Sequence, residues 1–253
     1  MKTAIVIPAR YASTRLPGKP LLRQTGKYLV QHVYERACLA QAAERVVVAT
    51  DDPRIVAAVE SFGGNVVLTR RDHPSGTDRV AEVARHLDAD VIVNLQGDEP
   101  QTDPGALDLL ASLIERDHDA DVATLAAPIT SEEQWQNPNC VKVVCDAAGR
   151  ALYFSRAPIP FVRDGRPDFG ARPPVFLQHL GLYAYRRPFL LALASLPPEP
   201  LEQLEKLEQL RVLALGRRIH VGVVRHGATG VDTRDDYDRF VAAYRQDRTG
   251  RAA

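Results

Sequence analysis

Short runs rich in valine and isoleucine alternate with segments of helical periodicity in the first half of the chain. The predicted strands are Ala4–Ile7, Arg45–Ala49, Asn65–Leu68 and Asp90–Leu95. The predicted helices are Leu29–Ala43, Arg54–Phe62, Asp78–Leu87 and Gly105–Arg116. The strand segments are apolar on both faces, as in parallel strands that helices cover on both sides. The first part of the chain, about 125 residues, therefore predicts an α/β fold with a doubly wound, mostly parallel sheet.

The pattern changes after Asp121, where strand-like segments follow one another with little helix between them. These predicted strands are Val122–Pro128, Val141–Cys145, Ala151–Phe154 and Val175–Arg186. They indicate a smaller mixed or antiparallel region over residues 121–190, and the proline-rich stretch Ala157–Pro174 is predicted to be a loop.

The last third of the chain predicts one long helix, one strand and a closing helix. Leucines recur at every third position of Leu201–Leu215, which predicts a broadly buried helix with a Glu202–Lys206 pair on its polar side. Strand Ile219–Val224 and helix Asp235–Gln246 follow. We predict a single α/β domain over residues 1–247 and a disordered tail over residues 248–253.

Composition narrows the class of protein. Hydrophobic residues make up 45% of the chain and charged residues 25%, the usual mixture of a soluble globular protein. Lysine plus arginine equals aspartate plus glutamate at 32 each, which argues against a nucleic-acid or membrane-surface partner. The apolar stretch before Arg10 is short for a secretory signal, so we interpret it as a first strand. No apolar run reaches the ~18 residues that span a bilayer, and we expect a cytoplasmic protein. Three scattered cysteines fit neither a disulfide framework nor a zinc site.

The loop after the first predicted strand is rich in cations. It runs from Pro8 to Pro20 and contains Arg10, Arg15 and Lys19. Ligands of open α/β sheets bind outside the carboxyl ends of the strands, where this loop begins. Its glycine spacing fits neither GxGxxG nor GxxxxGK[ST]. The cations would suit a triphosphate, and the alternative interpretation is a solvated basic loop.

Two carboxylates follow other strands. Asp98 lies in the segment Gln96-Gly97-Asp98 directly after a buried strand, and Asp232 lies just before the last helix. Together they could hold one Mg²⁺ against a nucleotide phosphate. Taken alone, Asp98 is better explained as a helix N-cap or turn residue, and Asp232 is equally well explained as a turn residue.

A fourth polar loop, Arg70–Arg79, offers hydroxyl groups and backbone amides. Thr77 would serve as the N-cap of the following helix. Asp51-Asp52-Pro53 is typical of a helix start, and it lacks the DxD spacing of many metal-dependent glycosyltransferases.

The order of these motifs is specific to one family. They are IPARYASTRLPGKPL, ATDD, TRRDHPSGTDR, VNLQGDEP, NPNCVKVV, ALYFSRAPIP, HLGLYAY, PLEQLEKLEQLRVL and TGVDT. From about residue 3 to residue 245 the chain closely resembles the 3-deoxy-manno-octulosonate (KDO) cytidylyltransferases. Tyr28 is a local departure, since the family often has proline there, and residues 164–172 also vary.

The resemblance implies a nucleotide-diphospho-sugar transferase-like fold and the reaction of CTP with KDO to give CMP-KDO and diphosphate. It also implies Mg²⁺ as cofactor, a role in lipopolysaccharide biosynthesis, and a homodimer formed through the antiparallel region. Arg10, Lys19, Asp98 and Asp232 would be catalytic, the two aspartates as metal ligands. The nucleotide would contact Pro8, Ala9, Arg10, Lys19, Arg71, Ser75, Gly76 and Gln96. The sugar would contact Gln96, Arg156, His179, Tyr183, Glu208 and Gln209.

This chemistry is consistent with the residue types. Cations quench phosphate charge, and Arg156 is suited to the sugar carboxylate. No dedicated general base stands out, and Mg²⁺ at Asp98 could lower the pKa of the attacking hydroxyl instead. One alternative is a cytidylyltransferase for amino-KDO or sialic acid. Another is a catalytically silent nucleotide-binding or dimer-scaffold protein, which predicts loss of at least one of the four catalytic residues.

Overall fold

The computed structural model describes residues 1–12, 15–227 and 230–250, with side chains through residue 246. The strands are β1 (Thr3–Ala9), β2 (Ala43–Thr50), β3 (Val66–Leu68), β4 (Val91–Asn94), β5 (Ala120–Pro128), β6 (Lys142–Cys145), β7 (Ala151–Ser155), β8 (Leu177–Arg186) and β9 (Arg218–Val223). The helices are α1 (Leu29–Ala37), α2 (Pro53–Ser61), α3 (Gly76–Ala84), α4 (Pro104–Arg116), α5 (Glu132–Gln136), α6 (Arg187–Leu193), α7 (Pro200–Glu205), α8 (Gln209–Ala214) and α9 (Arg234–Gly250). A short 3-10 helix covers Lys19–Leu21.

The chain divides into two compact units. The terminal unit comprises Lys2–Asp108 and the described residues after 227. The middle unit comprises Met1 and Leu109–Gly227, so the division lies within α4. No helix in the described part of the chain is long and apolar enough to cross a membrane.

The terminal unit contains a parallel sheet in the order β3-β2-β1-β4. All seven residues of β1 are buried, as expected for a central strand covered on both faces. Leu29 of α1 packs in a cluster with Val231 and with Tyr237, Phe240 and Val241 of α9. Parallel pairing and helical cover confirm the α/β prediction for the first part of the chain.

The middle unit is mixed. β5 is antiparallel to β8 and parallel to β9, and β6 is antiparallel to both β7 and β8. The predicted change from parallel to mixed strands after Asp121 is therefore confirmed. The short helices α5 and α6 were not predicted. Ser131 is the N-cap of α5, and its hydroxyl accepts from the Gln134 amide, so this capping serine is the sequence signal for the helix.

The prediction of a single helix over Leu201–Leu215 is wrong, because two shorter helices cover this segment. α7 ends at Glu205 and is capped by Lys206, whose φ of 54° is in the left-handed region; α8 starts at Gln209. Glu202 does not pair with Lys206: its carboxylate accepts two bonds from the buried guanidinium of Arg211, at 2.6 and 2.7 Å. A buried ion pair across the break replaces the continuous helix, and Leu204 is left 80% exposed.

Two other helix boundaries differ from the prediction by four residues or more. The helix predicted over Leu29–Ala43 ends at Ala37, because the chain turns there and Ala43 already begins β2. The last helix continues past Gln246 to Gly250, into the segment predicted as a disordered tail, and residues 251–253 lie outside the described residues.

The proline-rich stretch Ala157–Pro174 contains neither helix nor strand, as predicted. It nevertheless packs against other residues of the middle unit. Trp135 Nε1 donates to the Ile159 carbonyl at 3.2 Å, and Phe169 packs against Trp135 and Phe176. An aromatic cluster therefore holds this loop in place.

Candidate active site

A cavity of about 410 Å³ opens at the carboxyl ends of β1 and β4. Its polar lining comprises Arg10, Arg15, Lys19, Gln96, Asp98 and Asp232. Pro8, Ala9, Gly76 and Gly97 contribute small or backbone surfaces. All four predicted catalytic residues and six of the eight predicted nucleotide contacts thus lie around one cavity of the terminal unit.

Lys19 lies at the point where the two carboxylates converge. Its Nζ is 2.5 Å from Asp98 Oδ2 and 3.3 Å from Asp232 Oδ1, and its side chain is only 12% exposed. Gly18 makes this position possible, because its φ of 67° turns the chain and its amide donates to the Tyr11 carbonyl at 3.1 Å. Arg15 adds a second cation 3.1 Å from Asp232 Oδ1.

The two carboxylates fit a magnesium site in charge and number. No group of three or more histidine, cysteine or acidic side chains suited to a metal occurs among the described residues. Mg²⁺ commonly uses one or two protein carboxylates and completes its shell with water and substrate phosphates. Asp98 and Asp232 already share one cation, the Lys19 ammonium, so their carboxylates are arranged around positive charge.

Arg10 is positioned by the loop before α3. Its Nη2 donates to the His73 carbonyl at 3.0 Å, and the His73 ring in turn contacts the Glu82 carboxylate. Ser75 accepts from the Asp78 amide and is the N-cap of α3, so the prediction that Thr77 is the cap is wrong. The serine side chain therefore starts the helix whose first residue, Gly76, lines the cavity.

Arg71 does not line this cavity. It lines a neighbouring one of about 300 Å³ that shares Arg10 and also includes Arg54 and Arg79. Arg79 was missed from the sequence: it is fully buried, 3.2 Å from Asp51 Oδ2, and desolvation lowers its guanidinium pKa. The sequence feature that relates to Arg79 is Asp51 of the ATDD motif, for which the sequence predicts only a place at a helix start. Asp52 does cap α2, as predicted.

Glu99, next to Asp98, also received no role from the sequence. Burial, with a smaller contribution from the Asp98 charge, raises the pKa of its carboxyl group to about 7. Thr102 Oγ1 donates to it at 3.2 Å.

Gly97 keeps the Asp98 loop close to the end of β1. A Cβ atom at this position would lie 2.6 Å from the Pro8 carbonyl oxygen, which is backbone and cannot swing aside. Gly97 is thus required for the close approach of two strand ends.

We expect Gly97→Ala to lower the free energy of unfolding by about 1–3 kcal/mol, because the added methyl overpacks this contact. Urea denaturation monitored by circular dichroism would measure the change. Gly181→Ala is the matched control, since no atom lies within 4 Å of the Cβ it would add. Equal midpoints for the two variants would contradict the close-approach explanation.

The predicted sugar contacts other than Gln96 lie in the middle unit. His179 and Tyr183, both in β8, have ring centroids 5.4 Å apart, and His179 Nε2 is 2.9 Å from Thr124 Oγ1. Burial lowers the pKa of His179 to about 3. This histidine is therefore a neutral hydrogen-bonding group at physiological pH.

Arg156 is bound to its own unit's backbone. Its Nε donates to the Glu205 carbonyl at 2.6 Å, Nη1 to the Pro138 carbonyl at 3.0 Å and Nη2 to the Lys206 carbonyl at 3.5 Å. The guanidinium thus links the end of β7 to the joint between α7 and α8. The bond from Nη2 to the Lys206 carbonyl is the longest of the three and therefore the weakest.

Glu208 and Gln209 follow that joint. The Glu208 side chain is exposed, whereas Gln209 is only 5% exposed. Gln209 Nε2 is buried without a hydrogen-bond partner among the described residues. A buried donor that lacks an acceptor is costly in a folded protein, so this amide is suited to a ligand oxygen.

The buried His179 makes the free energy of unfolding depend on pH below about 6.5. Its pKa of about 3 in the folded protein lies below the 6.5 of an unperturbed histidine, so between these values the unfolded chain binds a proton that the folded chain does not. Stability therefore falls as pH drops below 6.5, by up to about 1.4 kcal/mol per pH unit from this group. We expect His179→Gln to have the flatter profile between pH 6.5 and 4 in urea denaturation. Parallel profiles for the two proteins would show that His179 gains its proton in the folded state.

Comparison with known proteins identifies the family of the chain. Residues 4–219 match the family model described as cytidylyltransferase. The 3-deoxy-manno-octulosonate cytidylyltransferase of Syntrophobacter fumaroxidans is 51% identical over 99% of this chain and 100% of its own length. The chain belongs to the 3-deoxy-manno-octulosonate cytidylyltransferase family. The corresponding protein of Thioalkalivibrio sulfidiphilus is 54% identical over 94% of this chain and 97% of its own.

A solved structure gives the same family assignment. CMP:2-keto-3-deoxy-manno-octonic acid synthetase, in complex with CTP, matches with a TM-score of 0.91 and 45% identity over 98% of this chain and 100% of that one. The KDO cytidylyltransferase resemblance, the α/β fold and the nucleotidyltransferase class predicted from the motifs are confirmed.

Proposed function

We propose that this chain transfers the cytidylyl group of CTP to the anomeric hydroxyl of KDO, giving CMP-KDO and diphosphate. The observation that supports this most strongly is the cavity at the ends of β1 and β4. Three cations, Arg10, Arg15 and Lys19, meet two carboxylates there, at the place where open α/β sheets bind their ligands.

Catalysis of this reaction depends mainly on neutralising phosphate charge, and less on protein groups that form bonds to the substrates. The sugar hydroxyl oxygen bonds to the α-phosphorus, the bond from that phosphorus to the bridging oxygen of the β-phosphate breaks, and the hydroxyl proton leaves to solvent. Negative charge builds on the departing diphosphate. Arg10 and Lys19 would bind phosphate oxygens and stabilise that charge, and Gly76 would offer its amide at the start of α3.

Asp98 and Asp232 are the side chains that would hold Mg²⁺. When bound, Mg²⁺ would neutralise phosphate charge and lower the pKa of the attacking hydroxyl. Lys19 lies in contact with both carboxylates, and we propose that it moves to the triphosphate when the substrates bind.

The middle-unit cluster would supply groups that bind the acceptor. Neutral His179, the Tyr183 hydroxyl, the exposed Glu208 carboxylate and the unsatisfied Gln209 amide offer the mixture of donors and acceptors that sugar hydroxyls require. Arg156 would bind the sugar carboxylate through the outer side of its guanidinium.

The direct test is diphosphate release with each of the four nucleoside triphosphates, with and without KDO and Mg²⁺. We expect release only when CTP, KDO and Mg²⁺ are all present. Activity with CTP and an amino-KDO or sialic acid acceptor, but not with KDO, would keep the cytidylyltransferase and change its sugar. No release from folded protein that still binds CTP would overturn the proposal in favour of a silent binding module.

The same proposal covers the setting of the reaction. CMP-KDO would serve lipopolysaccharide biosynthesis in the cytoplasm, where CTP is available.

We also propose a homodimer through the middle unit, because large apolar side chains are exposed there: Leu152 (62%), Phe161 (82%), Val175 (53%) and Leu204 (80%). Sedimentation equilibrium should give twice the chain mass, and a monomer at micromolar concentration would contradict this.

A further inference from the structure

Lys142 is a charged side chain with no solvent exposure, and neither the motifs nor the proposed reaction gives it a role. Its ammonium donates to three backbone carbonyls: Asn137 at 2.9 Å, Cys140 at 2.6 Å and Arg156 at 2.6 Å. A compact ammonium with three donors is matched to three convergent acceptors. Burial lowers its pKa, as expected for a cation removed from water.

The position of Lys142 in the sheet relates it to the predicted acceptor residues. In register, Lys142 is paired with Ser155 of β7 and with Gln178 of β8. These partners directly precede Arg156 and His179. The backbone amide of His179 also donates to the carbonyl of Val141, next to Lys142, at 2.8 Å.

A second set of bonds extends from Lys142 to the α7–α8 joint. Lys142 holds the Arg156 carbonyl, and the Arg156 guanidinium holds the carbonyl of Glu205. The Glu205 carboxylate accepts from Ser155 Oγ at 2.6 Å and from the Arg156 amide at 2.9 Å. Glu208 and the unsatisfied Gln209 come immediately after this joint, so a series of hydrogen bonds connects Lys142, through Arg156, to the residues that precede α8.

The cost of burying this charge argues that it does more than fill space. A buried ion is weak evidence for stability, and an apolar side chain of similar volume is often as stable or more so. What methionine could not do is hold three carbonyls at one point. We propose that Lys142 is a positioning residue for the acceptor sugar, acting through Arg156 and the α7–α8 joint; this rests on the proposed function.

The test is steady-state kinetics of Lys142→Met with each substrate varied in turn. We expect the KM for KDO to rise about tenfold, because a small displacement of binding groups weakens their contacts, with the KM for CTP within about twofold of wild type. Isothermal titration of CTP should give an unchanged Kd. A general loss of stability would not separate the two substrates in this way.

Arg186→Met is the matched control. Arg186 is also a cation of the middle unit that donates to three backbone carbonyls, those of Ala120, Ile114 and Asp117, at 2.8 to 3.1 Å. None of these is a predicted sugar contact. We expect this variant to lower the unfolding midpoint while leaving both KM values near wild type.

Ser155→Ala provides a second variant that removes only a hydroxyl group. It removes the bond to the Glu205 carboxylate and the bond that the hydroxyl accepts from the Ala157 amide at 3.0 Å. The KM for KDO should rise about two- to fivefold, the effect of losing modest hydrogen bonds. It decides the question if Lys142→Met does not fold.

Three results would overturn the proposal: folded Lys142→Met with an unchanged KM for KDO, equal shifts for both substrates, or the same shift in Arg186→Met. If Lys142→Met is unfolded, an unchanged KM for KDO in Ser155→Ala overturns it. A wild-type protein that releases no diphosphate would instead refute the proposed function, and with it this role. The two failures are therefore distinguishable from the wild-type assay.

Discussion

Asp98→Asn should lower kcat/KM about 100- to 1,000-fold, and Asp232→Asn should have an effect in the same range. Asparagine keeps the size of the side chain but removes the negative charge, so the pair of carboxylates that would hold Mg²⁺ is reduced to one. The loss should be greatest at low Mg²⁺ concentration. Diphosphate release over a Mg²⁺ titration would measure both the maximal rate and the apparent metal affinity.

Asp103→Asn is the control for this pair. The Asp103 carboxylate accepts from the Gly105 amide at 3.1 Å at the start of α4 and does not line the cavity. We expect its activity to stay within about twofold of wild type, because asparagine can also accept this bond. Unchanged Mg²⁺ dependence in Asp98→Asn and Asp232→Asn would show that these side chains do not hold the metal.

Lys19→Met should lower kcat about 100-fold and raise the KM for CTP, because it removes a cation from the triphosphate site. The variant also leaves Asp98 and Asp232 without the ammonium that now lies between them. Their repulsion should lower the thermal midpoint, and Mg²⁺ alone should raise it again by taking the place of the lost cation. This second readout does not depend on activity.

Lys27→Met serves as the comparison. Lys27 forms a 2.5 Å pair with Glu35 that is about 40% exposed on both sides, and such surface pairs contribute little. Its thermal midpoint should be insensitive to Mg²⁺, with normal kinetics. If Lys19→Met has the same kinetics and the same Mg²⁺ response as Lys27→Met, Lys19 has no role in the active site.

The sequence predicted the terminal unit well for a physical reason. Parallel strands buried on both faces, such as β1, have an apolar pattern that few other structures share. The residues directly after such strands are brought to one edge by the topology. Arg10, Gln96 and Asp98 were therefore predictable as neighbours, and they line one cavity.

The α7–α8 region shows where this approach fails. A leucine at every third position is compatible with one long helix, and nothing in the local pattern marks Lys206 as a left-handed residue. The break depends on a buried pair between Glu202 and Arg211, which is a tertiary interaction. Local periodicity cannot reveal such a pair.

Charged residues in strands were similarly hard to interpret. Lys142 occurs in a strand between valines, where a lysine usually faces solvent, yet it is fully buried. Its three acceptors come from segments as distant in sequence as Asn137 and Arg156. Only the folded backbone brings those carbonyls to one point.

The most direct test of the central claim is the fate of two radioactive labels in the reaction of wild-type protein with KDO and Mg²⁺. CTP labelled at the α-phosphorus and CTP labelled at the γ-phosphorus would be used separately, and the products separated by anion exchange. The account predicts that the α label appears in a sugar nucleotide and the γ label in diphosphate, in equal amounts. Transfer of the γ label to the sugar, or α label that remains in CTP, would contradict cytidylyl transfer.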